Sequence, residues 1–263
     1  MSLVVIKLGG HALDVTSDAE QLLAGLASDI QELRAAGDEV VLIHGGGPQI
    51  NELVTSRGLS TTFAHGLRVT TPEVLECVVM GLSMVNARVV GQLVHHDLPA
   101  VGIHGASGGL VVCSARTEEL GAVGHNPRVN ASILTSMLQL GWLPVIAPYA
   151  IDDRGSLLNC NADAVAGAVA GALNAETLLL LSDIDQVRRT PTDPDSGIDR
   201  LTTVDAQELL RSGSAHGGMR PKIESALVSL ENGAHRVLIA NGTFPHCVRD
   251  VTQGSQVSTE VVA

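Results

Sequence analysis

The sequence predicts an α/β protein in which a mainly parallel sheet lies between layers of helices. The 263 residues are 45% hydrophobic but only 2% aromatic, so the core must be built from Val, Leu, Ile and Ala. Short aliphatic runs of this kind are typical of the buried central strands of parallel sheets. In addition, a strand, a glycine turn and a helix follow one another twice near the N-terminus, which is the order of a βαβ unit.

Strands and helices are expected to alternate along the chain. Aliphatic runs bounded by glycine, proline or polar residues predict strands, which we place at 3–7, 39–44, 100–105, 108–115, 142–151, 176–183, 235–242 and 256–262. Apolar residues at helical spacing predict helices, which we place at 17–37, 48–58, 72–96, 129–141, 161–173, 203–213 and 221–233.

Three segments receive more specific predictions. Residues 61–71 combine β-formers with turn residues, which indicates a hairpin over the sheet edge. Residues 188–200 contain two Pro and three Asp, which favours a surface loop. The strand at 256–262 is expected at the edge of the sheet. A boundary near residues 150–175 would divide the chain into an N-terminal and a C-terminal lobe.

The composition argues against several classes of partner. The net charge is −12, so no basic surface is expected to neutralise nucleic-acid phosphates. The apolar runs at 3–6 and 162–173 are too short to span a membrane. The four cysteines show no paired spacing, which suits free thiols in a reducing cytosol. We therefore expect a cytoplasmic protein that binds neither nucleic acid nor membrane.

Three glycine-rich turns follow apolar strands, in IKLGG, LIHGGG and, less clearly, IHGASGG. Glycine lets the backbone approach a ligand closely, so that several N–H groups can converge on an anion. Taken alone, each turn is more readily explained as a tight connection between a strand and a helix. Neither a Walker A motif nor a Rossmann fingerprint is present, so a bound nucleotide would need another arrangement.

Lysine occurs only at Lys7 and Lys222, against fourteen arginines, and each lysine lies near a Gly-Gly pair. An ammonium is a compact charge that suits contact with one moving phosphoryl group better than a planar guanidinium. Lys7 ends a predicted strand, and Lys222 lies in the first turn of a predicted helix, near its positive end. Either lysine alone could be a chance survival or a salt-bridge partner. Their shared context favours a phosphate-binding role.

Polar residues at two other places could complete such a site. Asn159, Asn161 and Asp163 open an otherwise apolar helix. N-capping explains one of the three, and a carboxylate there could hold two ammonium groups in position. Arg68 suits bidentate binding of a carboxylate, although a plain surface arginine is the alternative. The histidines show no metal-ligand spacing, so no metal site of the protein's own is expected.

Together, these motifs resemble those of the amino-acid kinase family, and within it the members that act on N-acetyl-L-glutamate. IKLGG, HGGGPQI, GLRVT, LNCNAD, LLSD and GGMRPK occur in this order from about Leu3 to the tail. The resemblance implies an open αβα sandwich with a mainly parallel central sheet, of the carbamate kinase-like type. It also implies an N-terminal lobe at 1–170 for acyl amino acid binding and dimerisation, and a C-terminal lobe at 171–263 for ATP.

The resemblance assigns roles to individual residues. Lys7 and Lys222 resemble two lysines that stabilise the transition state, and Asp163 resembles the carboxylate that organises them. The matching substrate contacts are Gly45, Gly46, Arg68 and Asn159. The matching nucleotide contacts are Gly9, Gly10, Asp183, Ile184, Asp185, Gln186, Val187, Arg188, Ser214, Ala215 and His216.

The implied reaction is phosphorylation of the side-chain carboxylate of N-acetyl-L-glutamate, a step of arginine synthesis, by a cytoplasmic homodimer. ATP would arrive with Mg²⁺ on its phosphates. An ionised carboxylate needs no general base, so catalysis reduces to alignment and charge stabilisation. The same fold could instead act on an aminoadipate derivative or on carbamate, or serve as a silent sensor of amino acids or nucleotides. The presence of both lysines disfavours the sensor.

Three single residues and one tripeptide depart from the family pattern. Ser107 stands where an acid is usual, and Gln186 and Ser83 stand where glycine is usual. Asn241-Gly242-Thr243 stands where aspartate-glycine-arginine is usual.

Overall fold

The computed structural model of the chain describes residues 2–13, 17–64, 66–190, 192–215 and 219–263. Across these residues, the strands are β1 Leu3–Leu8, β2 Glu39–His44, β3 Phe63–Ala64, β4 Leu67–Arg68, β5 Ala100–His104, β6 Val111–Ala115, β7 Gly124–Val129, β8 Leu143–Ala147, β9 Tyr149–Ile151, β10 Leu157–Asn159, β11 Thr177–Ser182, β12 Arg200–Thr202, β13 Arg236–Asn241 and β14 Ser258–Val262. The α-helices are α1 Ser17–Ala35, α2 Gly47–Ser56, α3 Pro72–His95, α4 Ala131–Gln139, α5 Ala162–Ala172, α6 Thr203–Arg211, α7 Met219–Glu231 and α8 Cys247–Thr252.

One eight-stranded sheet organises the molecule, in the order β12-β14-β13-β11-β1-β2-β8-β5. All its pairings are parallel except that between β13 and β14. The two faces of the sheet have separate cores. Val5 packs with residues of α5 and α7, whereas Val4 and Ile6 pack with residues of α1 and α8. Helices therefore cover both faces, and the predicted αβα sandwich is confirmed.

A second sheet, in the order β10-β9-β6-β7, departs from the sequence prediction. The single strand expected at 142–151 is two strands, because Pro148 separates β8 in the main sheet from β9 in the second sheet. β7 was not predicted, since its sequence GHNPRV has no aliphatic run. β14 was expected to be the edge strand of the sheet. It is not, because the short strand β12 pairs with it on the outer side.

Helix α3 is long and apolar. It packs against α2, β5 and β8 and, with a mean hydropathy of 1.5, is the one helix within the described ranges that meets the length and composition of a membrane span. The core helices of soluble proteins can have the same length and composition, so these two properties do not indicate a membrane span by themselves. Met80 and Met84, one turn apart on α3, have exposed fractions of 45% and 55%.

The sheet order determines where a ligand can bind. β1 lies between β2 and β11, and all three strands are parallel. After β1 the chain moves to β2 on one side, whereas the sheet continues from β11 to β13 on the other side. Such a reversal opens a crevice at the carboxyl ends of the strands, where open α/β sheets bind ligands. Lys7 is the next-to-last residue of β1, at the mouth of this crevice.

Candidate active site

Two lysines from distant parts of the sequence bind one carboxylate. Lys7 Nζ lies 2.9 Å from Asp163 Oδ1, and Lys222 Nζ lies 3.0 Å from Asp163 Oδ2. All three residues are buried, with exposed fractions of 6%, 9% and 5% for Lys7, Lys222 and Asp163. The cluster confirms the sequence-based expectation that this carboxylate holds two ammonium groups in one place.

Three elements of regular structure position the cluster. Lys7 is held in the sheet between Leu180 of β11 and Ile43 of β2. Asp163 lies in the first turn of α5, whose N-cap is Asn161: its side-chain oxygen accepts hydrogen bonds from the N–H groups of Asp163 and Ala164. Because N-cap bonds fix the first turn of a helix, the carboxylate has a defined direction.

Lys222 reaches the carboxylate because α7 packs directly on α5. Ser225, one turn after Lys222, donates a hydrogen bond from its hydroxyl to the backbone carbonyl of Asp163. The helices are this close because Gly167 has no side chain, since a Cβ there would lie 2.8 Å from the carbonyl oxygen of Ser225. Ser225 was not predicted from the sequence, although its spacing of three residues from Lys222 places both on one helix face.

The charges in the cluster depend on one another. Burial alone would raise the pKa of Asp163, but attraction to Lys7 and Lys222 and their hydrogen bonds outweigh it and lower this pKa to about 2. Burial also lowers the pKa of Lys7, and repulsion from Lys222 lowers it further. Attraction to Asp163 opposes both effects without cancelling them. The two ammonium groups therefore share one negative charge, and the cluster favours the approach of a further anion.

The glycine turns that follow β1 and β2 meet at the same edge of the sheet. The N–H of Gly45 donates to the carbonyl of Leu8 over 2.8 Å. A Cβ at Gly10 would lie 2.9 Å from the backbone nitrogens of Gly46 and Gly47, so the turns pack backbone against backbone. Gly46 is the N-cap of α2 and offers no side-chain acceptor. The N–H of Gly47, the first residue of α2, is thus available to an anion.

Arg68 lies beside these turns in a partly apolar setting. Its guanidinium donates to the Thr61 hydroxyl over 2.8 Å and to the Gly47 carbonyl over 3.4 Å, and it lies 4.9 Å from the Phe63 ring centre. The residue is 8% exposed, and burial lowers its pKa. No carboxylate within the described ranges forms an ion pair with it. The remaining N–H groups of Arg68 therefore suit a carboxylate of a ligand.

A chain of hydrogen bonds joins Arg68 to the segment that carries Asp163. Thr70 donates from its hydroxyl to the Arg68 carbonyl over 2.9 Å, and Asn159 donates from its side chain to the Thr70 hydroxyl over 3.0 Å. Asn159 is four residues before Asp163. The predicted substrate residues thus lie on connected structure, and Thr70 is a connecting residue that the sequence analysis did not single out.

The predicted nucleotide residues are more widely distributed. Asp183 follows β11 and is close enough to Lys7 for its charge to raise the pKa of that lysine against the effect of burial. The Asp185 carboxylate accepts from Asn241 over 3.0 Å. Val187 is buried in the core, and its N–H donates to Thr259. Ala215 is also buried, Ile184 and Ser214 are partly exposed, and His216 lies outside the described residues.

A cleft of about 480 Å³ lies beside this segment. Asp185, Gln186 and Arg188 line one part of it, and Phe244 with the 255–257 segment lines another. None of Lys7, Asp163 and Lys222 lines this cleft. The structure therefore groups part of the predicted nucleotide segment here, away from the lysine cluster.

The three unusual residues have local partners. The Ser107 hydroxyl accepts from the His104 N–H over 3.3 Å, and the Gln186 side chain donates to Asp199 over 3.1 Å. The Ser83 hydroxyl lies 3.2 Å from the Tyr149 hydroxyl. None of these contacts involves the two lysines, so the departures from the family pattern leave the charged cluster intact.

The cluster can stabilise negative charge that moves between two reactants. Two buried ammonium groups, glycine turns and helix N-termini converge on one edge of the sheet, as stabilisation of a transferring phosphoryl group requires. Within the described residues no group of three or more His, Cys, Asp or Glu could hold a metal ion. In this cluster the positive charge is carried by Lys7 and Lys222.

Comparison with known sequences gives one consistent result. The model of the amino acid kinase family matches residues 2–241. The chain is 38% identical over 245 residues to acetylglutamate kinase of Methanopyrus kandleri, with 90% of this chain and 94% of the relative covered. It is 36% identical over 255 residues to acetylglutamate kinase of Symbiobacterium thermophilum, with 92% and 85% covered.

Comparison with solved structures agrees on the fold. The protein smu.665 from Streptococcus mutans matches with a TM-score of 0.79 at 28% identity, with 91% of this chain and 94% of that chain covered. Carbamate kinase from Giardia lamblia matches with a TM-score of 0.73 at 18% identity, with 99% and 98% covered. The second likeness is at the level of fold alone.

The substitution Asp163→Asn should lower the free energy of unfolding by about 3–5 kcal/mol near neutral pH, because it leaves two buried ammonium groups without a carboxylate. The folded-state pKa of Asp163 is about 2, below the ordinary value of 3.8. Its contribution is therefore fully present above about pH 4 and is lost as the pH falls through about 2. Urea unfolding of both proteins should show their difference shrinking over that window. A difference that stays constant would contradict the assigned ion pairs.

Proposed function

Because the chain belongs to the amino acid kinase family, we propose that it transfers the γ-phosphoryl group of ATP to the side-chain carboxylate of N-acetyl-L-glutamate. The products are N-acetyl-L-glutamyl 5-phosphate and ADP, and the reaction is a step of arginine synthesis. Relatives named acetylglutamate kinase, 36% and 38% identical over 85% and 94% of their length, support this acceptor. The observation that carries the proposal is the pairing of Lys7 and Lys222 through Asp163.

Phosphoryl transfer here needs alignment and charge stabilisation more than proton transfer. The acceptor carboxylate is already ionised at neutral pH, so no general base is required. Lys7 and Lys222 stabilise the charge on the transferring group, because a charge already in place costs no reorganisation during the reaction. Asp163 holds both ammonium groups within one site but, as a shared partner, leaves a net positive charge for the phosphoryl group.

We assign the acceptor to the N-terminal lobe. Arg68 has free donors and no carboxylate partner among the described residues, and we propose that it binds the α-carboxylate of the substrate. The backbone of Gly45 and Gly46 and the side chain of Asn159 complete the acceptor site. Gly9 and Gly10 lie beside Gly45 and Gly46 at the ends of β1 and β2, where their backbone can contact the phosphate that is transferred.

ATP is assigned to the C-terminal lobe, with Mg²⁺ carried on its phosphates as part of the substrate. The segment from Asp183 to Arg188 follows β11, the strand beside Lys7, and we propose that it contacts the nucleotide together with Ser214, Ala215 and His216. The lobes are proposed as residues 1–170 and 171–263. This boundary falls near the end of α5, after the Asp163 turn, so the lysine cluster joins the two lobes.

Assembly and location are also part of the proposal. A homodimer formed through α3 would cover the exposed side chains of Met80 and Met84, and a 27.2 kDa species in sedimentation would contradict it. A cytoplasmic location is supported by the four free cysteines, all of them buried, since reducing compartments preserve free thiols.

A coupled ADP-release assay tests the acceptor. N-acetyl-L-glutamate should support turnover, whereas glutamate, aspartate, aminoadipate and carbamate should each support far less. A site with a donor for every polar group of its substrate discriminates strongly against analogues that leave a buried donor unpaired. ADP release with glutamate in preference to its N-acetyl form would contradict the proposed acceptor, and release with none of the five would favour a sensor.

The role of Lys222 can be tested with a matched pair of variants. Lys222→Arg should lower kcat by about 100-fold or more, with little change in the KM for ATP, because the planar guanidinium cannot occupy the place of the ammonium beside Asp163. The control is Arg220→Lys, the reverse exchange at an exposed residue of the same helix that pairs with Glu224. It should change kcat by no more than roughly twofold. Equal losses of turnover and nucleotide binding in Lys222→Arg would contradict a role in the transition state.

A further inference from the structure

Two cysteines form a close buried pair next to the acceptor site. The sulfurs of Cys113 and Cys160 lie 3.2 Å apart, although 47 residues separate them in the sequence. Cys113 belongs to β6, and Cys160 connects β10 to α5. Their exposed fractions are 1% and 6%. The pair therefore joins the second sheet to the start of the helix that carries Asp163.

The surrounding backbone keeps the two sulfurs together. Gly124 of β7 lies against both cysteines: a Cβ at this position would be 2.6 Å from the Cys160 sulfur and 2.9 Å from the Cys113 Cβ. The pairing of β6 with β7 shifts register between Val112 and Ser114, so Cys113 lies at a β-bulge. Bulges redirect side chains. Gly124 therefore packs against the pair on one side, and the two sulfurs face each other.

We propose that Cys113 and Cys160 form a reversible intramolecular disulfide when the protein meets a hydroperoxide, and that this bond lowers phosphoryl transfer. A disulfide requires about 2.05 Å between sulfurs, so closing the bond needs an approach of roughly 1 Å. In cytosolic proteins, disulfides are usually transient and redox-sensing. The effect on transfer depends on the function proposed above, whereas formation of the bond does not.

The reaction balances with hydrogen peroxide as the two-electron oxidant. The thiolate of one cysteine attacks a peroxide oxygen and becomes a sulfenic acid, and hydroxide leaves. The sulfur of the second cysteine then attacks the sulfenic sulfur, the S–S bond forms, and the sulfenic oxygen leaves as water. Overall, two thiols and one hydrogen peroxide give one disulfide and two waters. An added dithiol reduces the bond by thiol exchange.

Cys113 is the better first nucleophile. The contact between the two sulfurs lowers the pKa of Cys113, and the same contact, with burial, raises the pKa of Cys160. The thiolate is the reactive form of cysteine. Asn159 and Asn161, on either side of Cys160, are partly exposed, so the chain reaches solvent directly before and after this cysteine.

The position of Cys160 connects oxidation to activity. Asn159 belongs to the proposed acceptor site, and Asn161 caps the helix turn that directs Asp163 toward both lysines. Movement of Cys160 toward Cys113 displaces both neighbours. A misplacement of about 1 Å in an active site can cost about 100-fold in rate, so we expect at least a tenfold fall in kcat/KM for the acceptor.

The test uses the full chain, reduced and then treated with increasing hydrogen peroxide, with catalase added before analysis. Alkylation under denaturing conditions and peptide mapping should reveal a cross-link between the peptides that contain Cys113 and Cys160. Activity should fall in step with the cross-link and return with dithiothreitol. Cys113→Ser should keep its activity under peroxide. Cys247→Ser, which removes another buried free cysteine in α8, should behave like the wild type.

Several outcomes would overturn the proposal: four alkylatable thiols at every peroxide concentration, sulfinic acid on one cysteine without a cross-link, or a complete cross-link with unchanged activity. The wild-type peptide map decides formation of the bond even if Cys113→Ser does not fold. Reduced protein that lacks activity on N-acetyl-L-glutamate would refute the proposed function instead, and the map would still report on the disulfide.

Discussion

The pairing of Asp163 with Lys7 and Lys222 is the interaction on which the rest of the site depends. Removing ionised groups from water costs several kcal/mol per ion, and here one carboxylate offsets two ammonium groups. The fold places these groups together through a strand end, a capped helix turn and a second helix on the first. The arrangement leaves excess positive charge in a buried place. An enzyme that moves a phosphoryl group between two anions requires that condition.

The glycines near the cluster explain how separate elements come so close. Gly10 and Gly46 allow two turns to meet backbone against backbone, and Gly167 allows α7 to lie on α5. Arg68 is a second buried cation, and its partners among the described residues are the Thr61 hydroxyl, the Gly47 carbonyl and the Phe63 ring. Within the described residues, positive charge therefore lies at two places along the crevice, which the proposed function assigns to the phosphoryl group and to the acceptor.

The sequence predicted the αβα sandwich and the lysine cluster because both leave strong local signals. Aliphatic runs mark the central strands, and lysine is rare enough here for Lys7 and Lys222 to stand out. Other features leave no such signal. β7 lacks an aliphatic run, Pro148 divides a continuous apolar segment between two sheets, and the outer position of β12 depends on pairing between distant segments. Thr70 and Ser225 act through contacts that only the folded chain brings together.

The shared site of the two lysines can be observed directly, because the chain contains no other lysine. Protein labelled with ¹³C at the lysine side chains should give two Cε signals in the NMR spectrum, and both should move in Asp163→Asn, since each ammonium loses its partner. In the wild type, the signal of Lys7 should titrate below the ordinary pKa of 10.5. Two signals that keep their positions in the variant, with Lys7 titrating near 10.5, would mean that the lysines do not share the carboxylate, and this account would be wrong.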